Sequence, residues 1–346
     1  MRYLFNIENY SLDEVCYIYE RPEGLKYYLQ MNYEHHIPVL LKETIALLEP
    51  RDGEVYLDCT FGAGGHTRAI LESANCKVIS LDRDVNVKVF AQELKKEFGD
   101  RFIFENARFA DLDKVLESHG IGKVDGILMD LGFSSMQVDT PRRGFSFQAD
   151  GPLDMRMDNE GLTAEEFVNE FSEEEIANII FKFGDERKSR AIARAICTAR
   201  EKEKITTTLK LAEIIKDATG HYHDNINPAT RTFQAIRIFI NNEFEELKSG
   251  LQKAKDKLKE NGRVVVITFH SGEDVIVKDF FRTYTGGANL GFSRYSPASL
   301  LTPTYVLDEM ELLTHKPIVA SDEEIEMNFR ARSAKIRAAK KLSSGS

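Results

Sequence analysis

At 346 residues, the chain has room for about two domains of roughly 150 residues each. Hydrophobic residues make up 42% and charged residues 29%, a globular balance, and no apolar run approaches the roughly 18 residues of a membrane span. The net charge of −10, from 46 basic and 56 acidic residues, excludes a surface coated for nucleic acid but leaves room for a local basic patch.

In chain order, residues 1–34 come first and look foreign to the rest. They hold Tyr3, Tyr10, Tyr17, Tyr19, Tyr27, Tyr28 and Tyr33, out of 12 tyrosines in all. They carry no basic-then-apolar secretory pattern, and they read as an N-terminal extension. From Glu54 onward, short β-rich runs alternate with amphipathic stretches. Glu54–Cys59, Lys77–Leu81, Phe102–Glu105 and Val124–Asp130 read as buried strands. His66–Ser73, Val85–Phe98 and Asp111–His119 read as the helices between them. Strand and helix in alternation imply βαβ units and a parallel sheet.

After Asp130 the alternation stops. Positions 150–175 hold ten acids against Arg156 alone, and positions 182–204 then hold eight bases against four acids. Helical periodicity dominates Ser172–Phe183, Arg187–Ala199 and Leu209–Ala218. The sheet pattern returns at Arg263–Thr268, after a turn expected at Asn261-Gly262. These shifts predict a helical domain over 139–235, inserted into an α/β domain made of 35–138 and 236–342. The cysteines Cys16, Cys59, Cys76 and Cys197 form no C-x-x-C pair, which fits a reducing cytoplasm better than a zinc site or a disulfide framework.

The strongest local signal is Leu57-Asp58-Cys59-Thr60-Phe61-Gly62-Ala63-Gly64-Gly65-His66, a strand running through an acid and a glycine turn into a helix. Glycine lets backbone approach a ligand closely, and the helix start presents unpaired N–H groups. Asp82 ends the next strand 20 residues after Gly62, where a carboxylate can accept from ribose hydroxyls. Both dehydrogenases and S-adenosylmethionine methyltransferases share this geometry, and an ordinary glycine turn is the bland third reading. The dinucleotide fingerprint wants Gly or Ala where Thr67 stands, and no G-K-[S/T] follows for a phosphate loop. Asp58 is expected to order the loop through backbone N–H groups.

The fourth strand ends at Asp130, with Phe133 three residues on. Enzymes that methylate exocyclic amines commonly carry an acid or amide here, followed at that spacing by an aromatic ring. The carboxylate can hold an amine and the ring can stack on a base. Asp130 can equally hold the ammonium group of the cofactor, and Phe133 can equally be core packing. His270 follows the fifth strand at the same sheet edge, as a catalytic candidate or as a residue that orients a loop.

At this point the chain resembles the bacterial 16S ribosomal RNA cytosine-N4-methyltransferases of the MraW type. The matching stretches include H-I-P-V-L-L-K-E (36–43), T-F-G-A-G-G-H-T (60–67), D-R-D (82–84) and D-G-I-L-M-D-L-G-F-S-S-M-Q-V-D (125–139). They continue with R-G-F-S-F (143–147), D-G-P-L-D-M-R-M-D (150–158), N-P-A-T-R-T-F-Q-A-I-R-I (227–238), T-F-H-S-G-E-D (268–274) and R-A-R-S-A-K-I-R-A-A (330–339). Met136, Phe133 and Gly272 depart from the residues usual in the family. The likeness begins near Met31, so residues 1–30 are expected to be dispensable for activity.

The resemblance implies a Rossmann-like class I S-adenosylmethionine-dependent methyltransferase sheet with an inserted helical domain. It implies S-adenosyl-L-methionine as cofactor and, as partner, a decoding-centre cytidine of 16S ribosomal RNA within the small ribosomal subunit. It places the protein in the cytoplasm, away from membranes; a homodimer is left open. Carried over by position, the cofactor contacts are Gly64, Gly65, His66, Asp82, Phe109, Asp130 and Gln137, and the catalytic candidates are Asp130 and His270. No metal is expected: His221-x-His223 with Asp224 reads as a solvated loop. Basic patches at Arg187–Lys204 and at Arg330–Lys341 are the expected phosphate contacts.

Overall fold

The computed structural model describes residues 14–20, 26–32, 38–158, 160–220, 227–286 and 308–343. The His221-x-His223 segment lies outside the described residues. Two compact units divide the chain, one built from Met1–Asp82, Asn86–Leu131 and Leu251–Ser346, the other from Arg83–Val85 and Gly132–Gly250.

In the first unit, β1 (Glu14–Glu20) and β2 (Lys26–Asn32) pair antiparallel as a two-stranded sheet of their own. Helix α1 (Leu41–Leu48) leads to β3 (Val55–Asp58), α2 (Gly65–Ser73), β4 (Lys77–Leu81), α3 (Lys88–Phe98), β5 (Phe102–Glu105), α4 (Leu112–Ser118) and β6 (Val124–Asp130). Strands β3, β4 and β6 are short, strongly apolar and almost wholly buried, while β5, at the sheet edge, fully buries only Phe102. Tyr56, Leu57, Val78, Ile79, Leu81, Ile127, Leu128 and Met129 are all inside. Such unbroken apolar runs are what a parallel sheet covered on both faces requires. The pairs β3–β4, β4–β5 and β3–β6 are indeed parallel.

After the second unit the chain returns as β7 (Leu258–Thr268), parallel to β6, and α12 (Ser271–Tyr284). The sheet closes with β8 (Met310–Leu312), β9 (Ile318–Val319), helix α13 (Asp322–Met327) and β10 (Lys335–Lys341), which runs antiparallel to β7, β8 and β9. The strand order is β5-β4-β3-β6-β7-β10-β8, with β9 beside β10. The central crossover from β3–β5 to β6–β7 makes this a Rossmann-like sheet, and ligands of such sheets bind off the carboxyl ends of the strands.

The second unit is helical: α5 (Ser135–Asp139), α6 (Ala164–Glu170), α7 (Glu173–Gly184), α8 (Ser189–Arg200), α9 (Thr208–Thr219), α10 (Ala229–Ile240) and most of α11 (Glu243–Lys257). Its core gathers Leu153, Phe167, Ile176, Ile180, Ile192, Ile196, Leu211, Ile215, Phe233 and Ile236. Thr163 and Ser172 each cap a helix reciprocally with the glutamate three residues on, which explains much of the acidity around 160–175.

Several boundaries differ from the sequence reading, each for a physical reason. The borders expected at 139 and 235 both fall inside the second unit. Position 235 is the middle of α10, and Arg237 late in that helix pairs with Glu243 at 2.8 Å. The helix expected over Val85–Phe98 is found at those bounds, opening as a 3-10 turn at Val85–Val87 before α3. Asn261-Gly262 is no turn: β7 starts at Leu258 and runs through them, with Asn261 at φ 63 and a register shift opposite Val124–Gly126. A local kink that the pairing tolerates carries the same residue signature as a reversal. Among the described residues, no helix is long and apolar enough to cross a membrane.

Candidate active site

The loop after β3 is held from below by its own acid. Asp58 is buried; its Oδ1 accepts from Thr60 N at 3.1 Å and its Oδ2 from the Thr67 hydroxyl at 2.6 Å. Thr67 Oγ1 also meets Ser80 Oγ on β4 at 2.7 Å. Thr67, the misfit to a dinucleotide fingerprint, is therefore the buried hydroxyl that ties loop, acid and sheet together. Burial pushes the Asp58 carboxyl up to about 6, against the lowering effect of these hydrogen bonds.

The glycines are required by space and conformation. Gly64 caps α2 at φ 82, and a side chain there would run into the Phe61 ring at 2.8 Å. A Cβ on Gly65 would stand 2.2 Å from Cγ of Pro38, so only hydrogen fits between loop and proline. Asp82, at the end of β4, accepts from Gly62 N at 2.8 Å and so clamps the turn as well as facing outward. Phe109 sits half-buried in the turn after β5.

His66, in the first turn of α2, is buried, with Nε2 3.0 Å from the Val39 carbonyl and Nδ1 3.5 Å from Asp130 Oδ2. Burial pushes the imidazole down to about 4. Asp130, the last residue of β6, has its own N–H donating to Thr60 Oγ1 at 2.7 Å. Burial first, then the charges of Asp58 and Glu273, hold its carboxyl well above the usual range. Its Oδ1 is shut off from solvent and accepts from none of the described residues. A buried acceptor left in that condition is costly, which adds to the pressure that keeps this carboxyl protonated.

His270 lies between β7 and α12 as the cap of that helix. Its Nδ1 accepts from Glu273 N at 3.4 Å, and its Nε2 lies 3.2 Å from Glu273 Oε1. Glu273 is buried and also accepts from Phe269 N at 2.8 Å. Gln137 belongs to the second unit. There its side chain closes a capping box with Ser134 and donates to Asp84 Oδ2 at 2.9 Å, so both ends of the amide are engaged. The glycine loop, Asp82, Phe109, Asp130 and His270 thus share the carboxyl edge of the parallel strands, whereas Gln137 is bound into the helical unit.

In that unit Asp84 also takes Arg143 at 2.8 Å, and Arg143 reaches the carbonyls of Arg156 and Met157. Arg83 pairs with Asp158 at 2.6 Å. The D-R-D block therefore serves both units, Asp82 in one and Arg83 with Asp84 in the other. Cβ atoms on Gly144 and Gly151 would stand 2.2 and 2.0 Å from backbone oxygens of Pro152 and Pro141, which locks the two glycine-bearing blocks face to face. Phe133 is 45% exposed, with the Arg237 guanidinium 4.6 Å over its ring.

The basic tail divides: Arg330 and Arg332, in the turn before the last strand, are exposed, whereas the bases from Arg337 on are engaged. Those bases lie on β10, where Arg337 is buried against Asp274 at 2.7 Å, Lys340 pairs with Glu311, and Lys341 donates to the carbonyls of Lys255 and Leu258. An alternation of bases along a strand looks like a cationic tail when only the charge is read. On the helical unit, Lys188 and Arg200 are bonded to the carbonyls of Thr219 and Val168, and Arg187, Arg190 and Lys202 remain exposed.

Glu273, Thr60, Asp84 and Arg143 escaped the sequence reading. H-S-G-E (270–273) has the spacing of a capping box and would have pointed to Glu273. Thr60 and Arg143 carry no such local mark.

The profile of the MraW methylase family matches residues 33–342. A Ribosomal RNA small subunit methyltransferase H from Maricaulis maris is 50% identical over 309 residues, spanning 89% of this chain and 92% of that protein. One of the same description from Rickettsia felis is 50% identical over 310 residues, spanning 89% and 99%. Among solved structures, a putative rRNA-methylase from Clostridium thermocellum covers 89% of this chain and 100% of its own, at 10% identity and a TM-score of 0.41.

Proposed function

This chain belongs to the MraW methylase family, and on that footing we propose that it N4-methylates a decoding-centre cytidine of 16S ribosomal RNA in the small ribosomal subunit, with S-adenosyl-L-methionine as donor. The observation that carries the chemistry is Asp130 at the tip of β6, a carboxyl facing His66 Nδ1 at 3.5 Å beside a glycine-bounded loop. The residues are of kinds that suit the cofactor: the turn at Gly64, Gly65 and His66 would hold its amino-acid end, Asp82 its ribose and the half-buried ring of Phe109 its adenine. When bound, that cofactor supplies an electrophilic methyl group on a sulfonium.

The target amine is a poor nucleophile, because its lone pair is delocalised into the ring. Alignment therefore matters more than a strong base, with the reacting atoms held at roughly 3–3.5 Å. The Asp130 carboxyl accepts from the amine and orients its lone pair. On the helical unit, Phe133 has Arg237 over one face of its ring and offers the other to a base of the RNA. Gln137 acts through Asp84 and Arg143, and His270 by holding Glu273. Phosphate contacts fall to the exposed bases Arg187, Arg190 and Lys202.

Small subunits lacking the modification, incubated with the protein and labelled cofactor, test this. Nuclease digestion and nucleoside analysis should find the label in N4-methylcytidine at a single decoding-centre position. Label in another nucleoside, or binding of a nicotinamide dinucleotide in place of S-adenosyl-L-methionine, would overturn it.

A further inference from the structure

The hydrogen positions of the His66 ring follow from its partners. Nε2 lies 3.0 Å from the Val39 carbonyl oxygen, which only accepts, so Nε2 carries a hydrogen. The neutral ring then has its lone pair on Nδ1, and Nδ1 lies 3.5 Å from Asp130 Oδ2. A lone pair facing a bare carboxylate oxygen is repulsive, so one proton belongs to the pair. Burial weakens the imidazole as a base and strengthens the carboxyl, so in the unliganded protein that proton rests on Asp130.

The fold holds this arrangement from both sides. Leu40 is fully buried at φ 52, a left-handed conformation that costs a branched side chain about 1–2 kcal/mol. Its N–H donates to Glu324 Oε1 at 2.6 Å. This bend fixes the carbonyl of Val39, one residue earlier, on His66. Across the ring, the N–H bond to Thr60 fixes the backbone of Asp130. A strained residue kept beside a reactive group is the expected cost of pre-organisation.

We propose that His66 is a positioning residue for proton removal: it takes up, through Asp130, the proton that the cytosine amine sheds on methylation. The role rests on the function proposed above. As the amine lone pair forms the new N–C bond, the C–S bonding pair goes to sulfur. The N–H bonding pair stays on nitrogen. The proton passes to the Asp130 carboxyl while the proton already on Oδ2 moves to His66 Nδ1. A neutral methylated amine and an imidazolium result, and the imidazolium returns its proton to solvent after product leaves. The groups facing the pair are Asp58 at the end of β3, Glu273 on α12 and the Val39 carbonyl. All three are negative or dipolar in the sense that favours a cation there.

The test has two arms on the full-length protein. In the first, nitrogen-15 NMR of the imidazoles should show His66 as the Nε2–H tautomer near pH 7, with Nδ1 as a hydrogen-bond acceptor that titrates only below about pH 5. An Nδ1–H tautomer overturns the proposal without any reference to activity. In the second, His66→Gln keeps a donor for Val39 but presents no base to Asp130. With saturating cofactor, its single-turnover rate should fall on the order of 100-fold. Its acid limb should vanish from the pH–rate profile. His66→Asn, which offers Asp130 an acceptor without basicity, should behave alike. Wild-type rate and profile in His66→Gln overturn the proposal, as does a defect that disappears on raising cofactor concentration. If neither variant folds, the tautomer decides. An inactive wild-type protein would overturn the methyltransferase reading itself, whereas active wild type with unaffected variants overturns only the role of His66.

Discussion

Thr67→Ala turns the loop into G-x-G-x-x-A, the spacing of a dinucleotide fingerprint, and should damage this protein in a pH-dependent way. The lost hydroxyl donates to Asp58 Oδ2 at 2.6 Å and meets Ser80 Oγ at 2.7 Å. Burial already holds Asp58 at about 6, against an ordinary 3.8. With the native value raised, this group's contribution to stability is complete below pH 3.8 and is lost as pH rises through about 6. The loss amounts to about 3 kcal/mol, from roughly two pH units at 1.4 kcal/mol each. Removing a donor that favours the ionised form raises the native value further. Near pH 5 the carboxyl is largely protonated with or without Thr67, so the substitution costs about 1 kcal/mol, one neutral hydrogen bond. At pH 8 it removes a charge-assisted bond from a buried carboxylate and costs about 2–3 kcal/mol. Thr67→Ser keeps the hydroxyl and should lose about 1 kcal/mol at both values. Urea unfolding of the three proteins at pH 5 and pH 8 measures this. An alanine cost that is the same at both pH values, or smaller at pH 8, would refute the coupling of Thr67 to a buried ionised acid.

Gly65→Ala places a methyl 2.2 Å from the Pro38 ring and should cost about 1–3 kcal/mol of stability and weaken cofactor binding at least tenfold by calorimetry; wild-type affinity would refute the close fit. Phe133→Ala should weaken RNA binding by the roughly 1–3 kcal/mol of a base stack, with cofactor affinity unchanged, and Phe133→Tyr should restore it. Deleting residues 1–30 removes a two-stranded sheet that shares no strand with the main one, and methyl transfer should survive; a loss of folding would show the segment to be integral.

Much of the sheet was legible because buried parallel strands leave unbroken apolar runs. Lys77–Leu81, Phe102–Glu105 and Val124–Asp130 were found with the bounds the structure gives them. Asp58 too was read as the acid that orders its loop, and it accepts from Thr60 N. What escaped depends on long-range geometry. The tail around Arg337 reads as a cationic patch until Asp274 is brought against it from α12, 63 residues away. Asp84 carries no local mark of a partner, yet it is held by Arg143, which lies 59 residues on. His66 was read as a cofactor contact at the start of a helix, and only folding sets its two nitrogens between Val39 and Asp130.

The central claim, that Asp130 receives the target amine, is tested most directly by Asp130→Asn. The substitution preserves shape and hydrogen bonding while removing the carboxyl group. Single-turnover methyl transfer to small subunits, at saturating cofactor and RNA, should fall on the order of 100-fold or more. An undiminished rate would contradict the account.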